Sequence, residues 1–99
     1  MRYYPVFLNL EGKSCLVVGA GQVGRRKVGT VLDCGIASVT VVDTRPPDTD
    51  FAPLLSDPRV DYQTRAFTEA DLDGRFLVIA STSHEETNWR ISRLCAERG

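Results

Sequence analysis

The stretch CLVVGAGQVGRRK, Cys15 to Lys27, restricts this chain more than any other. Ser14 to Val18 is apolar without polar alternation, as a parallel strand buried on both faces should be. It runs directly into Gly19-Ala20-Gly21-Gln22-Val23-Gly24, which matches GxGxxG letter for letter, and a helical pattern follows. The motif alone is weak, but its setting adds weight. A second apolar run, SVTVV, ends in Asp43, 19 residues past Gly24. A dinucleotide-binding turn calls for a ribose-binding carboxylate about 20 residues on.

Each glycine has a distinct task on this reading. Gly19 permits the tight turn, Gly21 lets backbone N–H groups approach a pyrophosphate, and Gly24 lets the helix pack close to the sheet. The helix start adds unpaired donors and a positive dipole end. The competing reading is a glycine turn that serves packing only. It requires the strand, turn, helix, second strand and acid to coincide by chance. Asp43 favours NAD over NADP, because a carboxylate accepts from ribose hydroxyls but repels a 2′-phosphate; Arg45 works the other way. Arg25, Arg26 and Lys27 lie on the first helical turn and are read as solvated rather than as phosphate ligands.

Alternation continues along the chain. YYPVFLNLEGK reads as an extended entry, with Val6, Leu8 and Leu10 on one face, Pro5 unable to donate a ladder bond, and a turn at Glu11-Gly12. The first helix spans Val23 to Cys34, its face marked by Val23, Lys27, Val28, Val31 and Leu32, with Gly35 as its stop. Ser38 to Val42 is the second strand and TRPPDTD a loop. Phe51 to Leu55 forms a short helix and Val60 to Phe67 a third strand. Thr68 and Asp71 suit a capping box around a short turn. Arg75 to Ala80 is a fourth strand, and Trp89, Ile91, Leu94 and Cys95 belong to a final helix. Strands alternating with crossovers predict an α/β, Rossmann-like doubly wound parallel sheet of about four strands in three layers.

Bulk properties exclude more than they assign. Ninety-nine residues, 42% of them apolar, make one domain with a modest core. Twelve Lys and Arg against 13 Asp and Glu leave a net charge of −1 and no basic patch for nucleic acid. Cys15, Cys34 and Cys95 lack CxxC spacing and read as reduced thiols of a cytoplasmic protein. No apolar run reaches membrane-spanning length, and the N-terminus lacks a signal peptide's apolar core. One histidine without clustered ligands makes no metal site.

Ligands of doubly wound sheets bind beyond the carboxyl ends of the strands, where Ser81, Thr82 and Ser83 follow the fourth strand. Ser83 is expected to cap the last helix. For Thr82, capping and cofactor contact stand level. His84 reads as a helix-start histidine in solvent, so no catalytic residue is assigned.

YYPVFLNLEGKSCLVVGAGQVGRRK, together with FLVIASTSHEETNWRIS, closely resembles the sirohaem synthase N-terminal module, a family of precorrin-2 dehydrogenases. The resemblance spans nearly the whole chain. It implies NAD-dependent oxidation of precorrin-2 to sirohydrochlorin, in some members joined to iron insertion. It also implies Gln22 and Val23 under the pyrophosphate, Asp43, Thr44 and Arg45 at the adenosine ribose, and Thr82 near the nicotinamide half. The family's key aspartate, dimerisation region and substrate-binding region would all follow Gly99. Residues 1–99 are therefore expected to be the NAD-binding domain of a longer, homodimeric protein, inactive when isolated. A nucleotide-sensing regulatory module on the same fold is the alternative.

Overall fold

Val-, Leu- and Ile-rich runs place four strands in one parallel sheet of the computed structural model, which describes residues 6–99. These are β1 (Ser14–Val18), β2 (Ser38–Asp43), β3 (Val60–Thr64) and β4 (Leu77–Ala80), in the order β3-β2-β1-β4. The expected role of Pro5 lies outside the described residues.

Successive residues of β1 serve opposite faces, which accounts for its missing polar alternation. Cys15 and Val17 join Val39 and Val41 beneath α1 (Gln22–Asp33), where Val28, Val31, Leu32 and Phe51 complete one core. Leu16, Val18 and Val42 face the other way, onto Leu72 and onto Ile91 of α2 (Glu85–Arg98). The result is helix, sheet, helix: the doubly wound, three-layer arrangement expected from the sequence. Residues that close α1 do so by a Schellman pattern. Gly35 N–H donates to Leu32 O at 3.1 Å and Ile36 N–H to Val31 O at 3.2 Å, with Gly35 at φ +80°.

Several local expectations are corrected. The buried stripe of α1 is Gly24, Val28, Val31 and Leu32, while Val23 and Lys27 are exposed. The helix lies on its glycine, which rotates the buried face away from Val23. The N-terminal alternation does not bury a face either: Val6, Phe7 and Leu8 are exposed, and only Leu10 enters the core. The Glu11-Gly12 turn does form, with Lys13 N–H donating to Leu10 O at 3.0 Å. Strand β3 stops at Thr64 rather than Phe67, because the chain there leaves the ladder. Arg65 pairs with Asp71 at 2.6 Å, and Phe67 packs into the α2-side core. Strand β4 starts at Leu77 rather than Arg75, whose guanidinium instead donates to Asp71 O and Ser14 Oγ. The segment Phe51 to Leu55 is a 3₁₀ helix, Ala52–Ser56, with Phe51 at its N-cap.

Phe51 is fully buried and meets Tyr62 edge to face, the ring centroids 5.2 Å apart. Replacing it by Ala should cost about 3–5 kcal/mol of stability, measured as a lower urea midpoint; an unchanged midpoint would contradict this core assignment. Asp71 supports a pH prediction. The bidentate Arg65 guanidinium, aided by Thr68 N–H, lowers its carboxyl from 3.8 to about 2. A folded-state pKa below the unfolded one adds stability above pH 3.8 that is lost as pH falls toward about 2. Asp71→Asn should be less stable at pH 7 and decline less steeply than wild type between pH 4 and 2. Urea titrations across that range test this, and parallel curves for the two proteins would refute it.

Candidate functional site

The strand order makes β1 and β4 neighbours whose following connections leave toward opposite faces of the sheet. Gly19 begins the turn after β1 and Ser81 follows β4 directly. Such a switch point opens a crevice at the carboxyl edge. Gly19 adopts φ +104°, and a Cβ there would meet the Ser81 carbonyl carbon and oxygen at 2.7 Å. A Cβ on Gly24 would overlap the Gly19 carbonyl oxygen, so α1 can seat only on a glycine. Ser81 binds the turn from the β4 side, its hydroxyl lying 3.1 Å from both Val18 O and Gly19 O.

Gly21 differs from these two. Its φ of −73° suits any residue, and a Cβ there would meet nothing within 4 Å. Packing therefore gives no reason for glycine at this position. Gly21 is also the N-cap of α1, and a glycine can offer no capping side chain. The first helical bond is Arg25 N–H to Gly21 O, leaving the N–H groups of the first turn without an intrahelical partner. No acid of α1 itself sits in that turn. Helix α2 has the opposite character, with Glu85 and Glu86 in its first turn. Of the two α-helices among the described residues, only α1 begins at this edge without an acid in its first turn.

Asp43 closes β2 with a carboxylate whose side chain is 10% exposed. Its Oδ2 accepts from Ala20 N–H at 2.7 Å, and its Oδ1 accepts from Arg45 N–H at 2.8 Å. The acid thus braces the glycine turn as well as facing the cleft. Thr44 and Arg45 are exposed beside it, and the Tyr62 hydroxyl donates to Arg45 O at 2.7 Å, which steadies the loop. Burial, followed by the Asp43 charge, raises the Tyr62 phenol pKa, so it stays a donor.

Gln22, Val23, Asp43, Thr44, Arg45 and Thr82 all border one cleft of about 690 Å³, within the usual range for a ligand site. Gly19 and Gly21 form its floor, while Gly24 sits behind them against the turn. Arg25 and Arg26 border a separate, smaller groove near Asp50. Thr82 does line the cleft, but its hydroxyl is already engaged by Asn88 and His84. Ser83 does not cap α2: the N-cap is His84, without a side-chain cap bond, and the His84 N–H turns to Thr82 Oγ1 instead. His84 is exposed at the cleft rim.

Sequence reasoning missed Arg65, Phe67, Arg90 and Asn88. The first three border the cleft, Arg90 standing over the Phe67 ring at 5.6 Å. The position of Arg65 and Phe67 just past a strand's carboxyl end was the available signal. Asn88 was visible only as the asparagine after the acidic patch in the stretch that carries the family resemblance, and its bonds to Thr82 depend on how α2 begins. Among the described residues no cluster of metal-ligating side chains occurs, and no helix is long and apolar enough to cross a membrane.

Residues 6–99 match the family described as "Putative NAD(P)-binding". The chain is 42% identical over 98 residues to the siroheme synthase of Thioalkalivibrio sulfidiphilus, covering 99% of this chain and 20% of that protein. It is 41% identical over 93 residues to the siroheme synthase of Methylobacillus flagellatus, covering 94% of this chain and again 20% of the relative. The chain thus spans about a fifth of the length of these curated relatives. Its fold superposes on the solved structure of SirC, precorrin-2 dehydrogenase, with a TM-score of 0.79 and 26% identity, over 91% of this chain and 44% of that one. The Bordetella bronchiseptica enzyme WbmF shares the fold at a TM-score of 0.57 and 23% identity, over 73% of this chain and 23% of that one.

Proposed function

The chain belongs to this NAD(P)-binding family, and from that premise we propose that it is the cofactor-holding domain of a precorrin-2 dehydrogenase. One observation carries the reading most directly. Gly21 has no internal reason to be glycine, yet it caps a helix whose N-terminal donors face the cleft. A pyrophosphate on this turn would take its bonds from the N–H groups around Gln22 and Val23. The adenosine ribose would face Asp43, Thr44 and Arg45, and the nicotinamide half would extend past Thr82. When bound, NAD supplies the acceptor for a hydride. The chain's own residues orient and neutralise it.

Asp43 supports NAD over NADP, since a carboxylate at the ribose opposes a 2′-phosphate. On this reading residues 1–99 act within a longer homodimeric protein of the cytoplasm, where precorrin-2 is the substrate. Free thiols at Cys15, Cys34 and Cys95 fit that reducing compartment. Groups that bind the tetrapyrrole and complete the catalytic step would come from outside these residues, and none is assigned here. The regulatory alternative has no counterpart among the relatives named above.

Paired glycine substitutions test the proposal. Gly21→Ala should fold with near wild-type stability and weaken NAD binding roughly 10-fold, because the new methyl group blocks a charge-assisted backbone contact. Gly24→Ala should instead lower the melting temperature, since its Cβ overlaps the Gly19 carbonyl. Calorimetric titration with NAD and NADP, beside thermal melts, separates the two effects. NAD affinity unchanged by Gly21→Ala would return the turn to a packing role.

A further inference from the structure

Thr82 leaves β4 on the side of the sheet where no further strand is paired among the described residues. Asn88, in the second turn of α2, pairs with it instead. Its Oδ1 accepts from Thr82 N–H at 3.2 Å and its Nδ2 donates to Thr82 O at 3.0 Å. One carboxamide therefore satisfies both main-chain groups of a single residue, as a neighbouring strand would. The same Oδ1 lies 2.6 Å from the Thr82 hydroxyl. Reversing the carboxamide would set its NH2 against the Thr82 N–H, donor against donor, so the network dictates its orientation.

The consequence falls on the Thr82 hydroxyl, which has one proton and two lone pairs. Asn88 Oδ1 at 2.6 Å is a shorter acceptor than His84 O at 3.0 Å and takes the proton. The His84 N–H, at 3.2 Å, occupies one lone pair. The other remains, on a residue that lines the cleft. We propose that Asn88 is a positioning residue that makes Thr82 an acceptor toward the cleft, matched to an N–H or O–H donor of the ligand.

The sheet order indicates which half of the ligand carries that donor. Asp43 ends β2 and Thr82 follows β4, on opposite sides of β1 and its glycine turn. With a pyrophosphate on the turn and adenosine at Asp43, the other nucleoside lies toward Thr82. Its ribose hydroxyls and carboxamide are donors of the required kind. The inference rests on the dinucleotide reading above, and its test separates the two.

The chain and its variants are titrated with NAD and with ADP, which lacks the second nucleoside. Asn88→Ala should weaken NAD roughly 10-fold and leave ADP within about 2-fold. Thr82→Val should do the same, and the double variant should bind NAD no worse than Thr82→Val alone, because Asn88 acts through that hydroxyl. Should Asn88→Ala fail to fold, Asn88→Gln replaces it: this variant keeps a carboxamide but shifts it by one methylene out of register with Thr82, and it should weaken NAD and spare ADP in the same way. Equal loss of NAD and ADP, unchanged NAD affinity in Asn88→Ala or Asn88→Gln, or additive losses in the double variant would overturn the assignment. A wild-type chain that binds neither ligand would overturn the dinucleotide reading itself.

Discussion

Everything at the carboxyl edge depends on how closely α1 approaches the turn that precedes it. Gly24 rests against the Gly19 carbonyl, and Gly19 in turn lies against the Ser81 main chain. Neither contact leaves room for a methyl group. Together they lock the end of β1, the start of α1 and the end of β4 into one rigid corner. The first-turn donors of α1 are aimed by that corner and not by a capping side chain. At a third glycine, Gly21, a Cβ would meet nothing within 4 Å. Two glycines build the corner, and on the proposed reading the third keeps it open to the cofactor.

Asp43 connects this corner to β2. Its carboxylate is read in the sequence as a ribose ligand, and in the fold it also accepts the Ala20 N–H across 23 residues of chain. The two roles are compatible, since each carboxylate oxygen offers more than one lone pair. They do alter what a substitution at this position means. Loss of Asp43 would loosen the turn and, on the proposed reading, remove a ribose acceptor too, so cofactor choice is better judged from the ratio of NAD to NADP affinity than from either alone.

Much of this was legible in the residue pattern because the strongest signals are local. The unbroken apolar run of β1, the glycine spacing and the acid ending β2 each follow from what one element must bury or approach. The Thr68–Asp71 capping box is another such signal, with Asp71 Oδ2 accepting from Thr68 N–H at 2.8 Å. Features decided by packing between distant elements were not legible. The buried stripe of α1 includes Gly24 and not Val23, because a helix pressed onto a turn presents its smallest residue there. Strand β3 ends early because Arg65 turns to Asp71 and carries the chain over to the other face. For Thr82 the sequence leaves capping and cofactor contact level; its engagement by Asn88 depends on where α2 starts.

The central claim is that the glycine corner, Asp43 and Thr82 act as one dinucleotide site. Backbone amide shifts of the isotope-labelled chain, followed by NMR as NAD is added, test it most directly. The account predicts the largest shifts at Gly21, Gln22 and Val23, with further shifts at Thr44, Arg45 and Thr82. Shifts centred instead on Arg25, Arg26 and Asp50, or no saturable shifts at all, would contradict it.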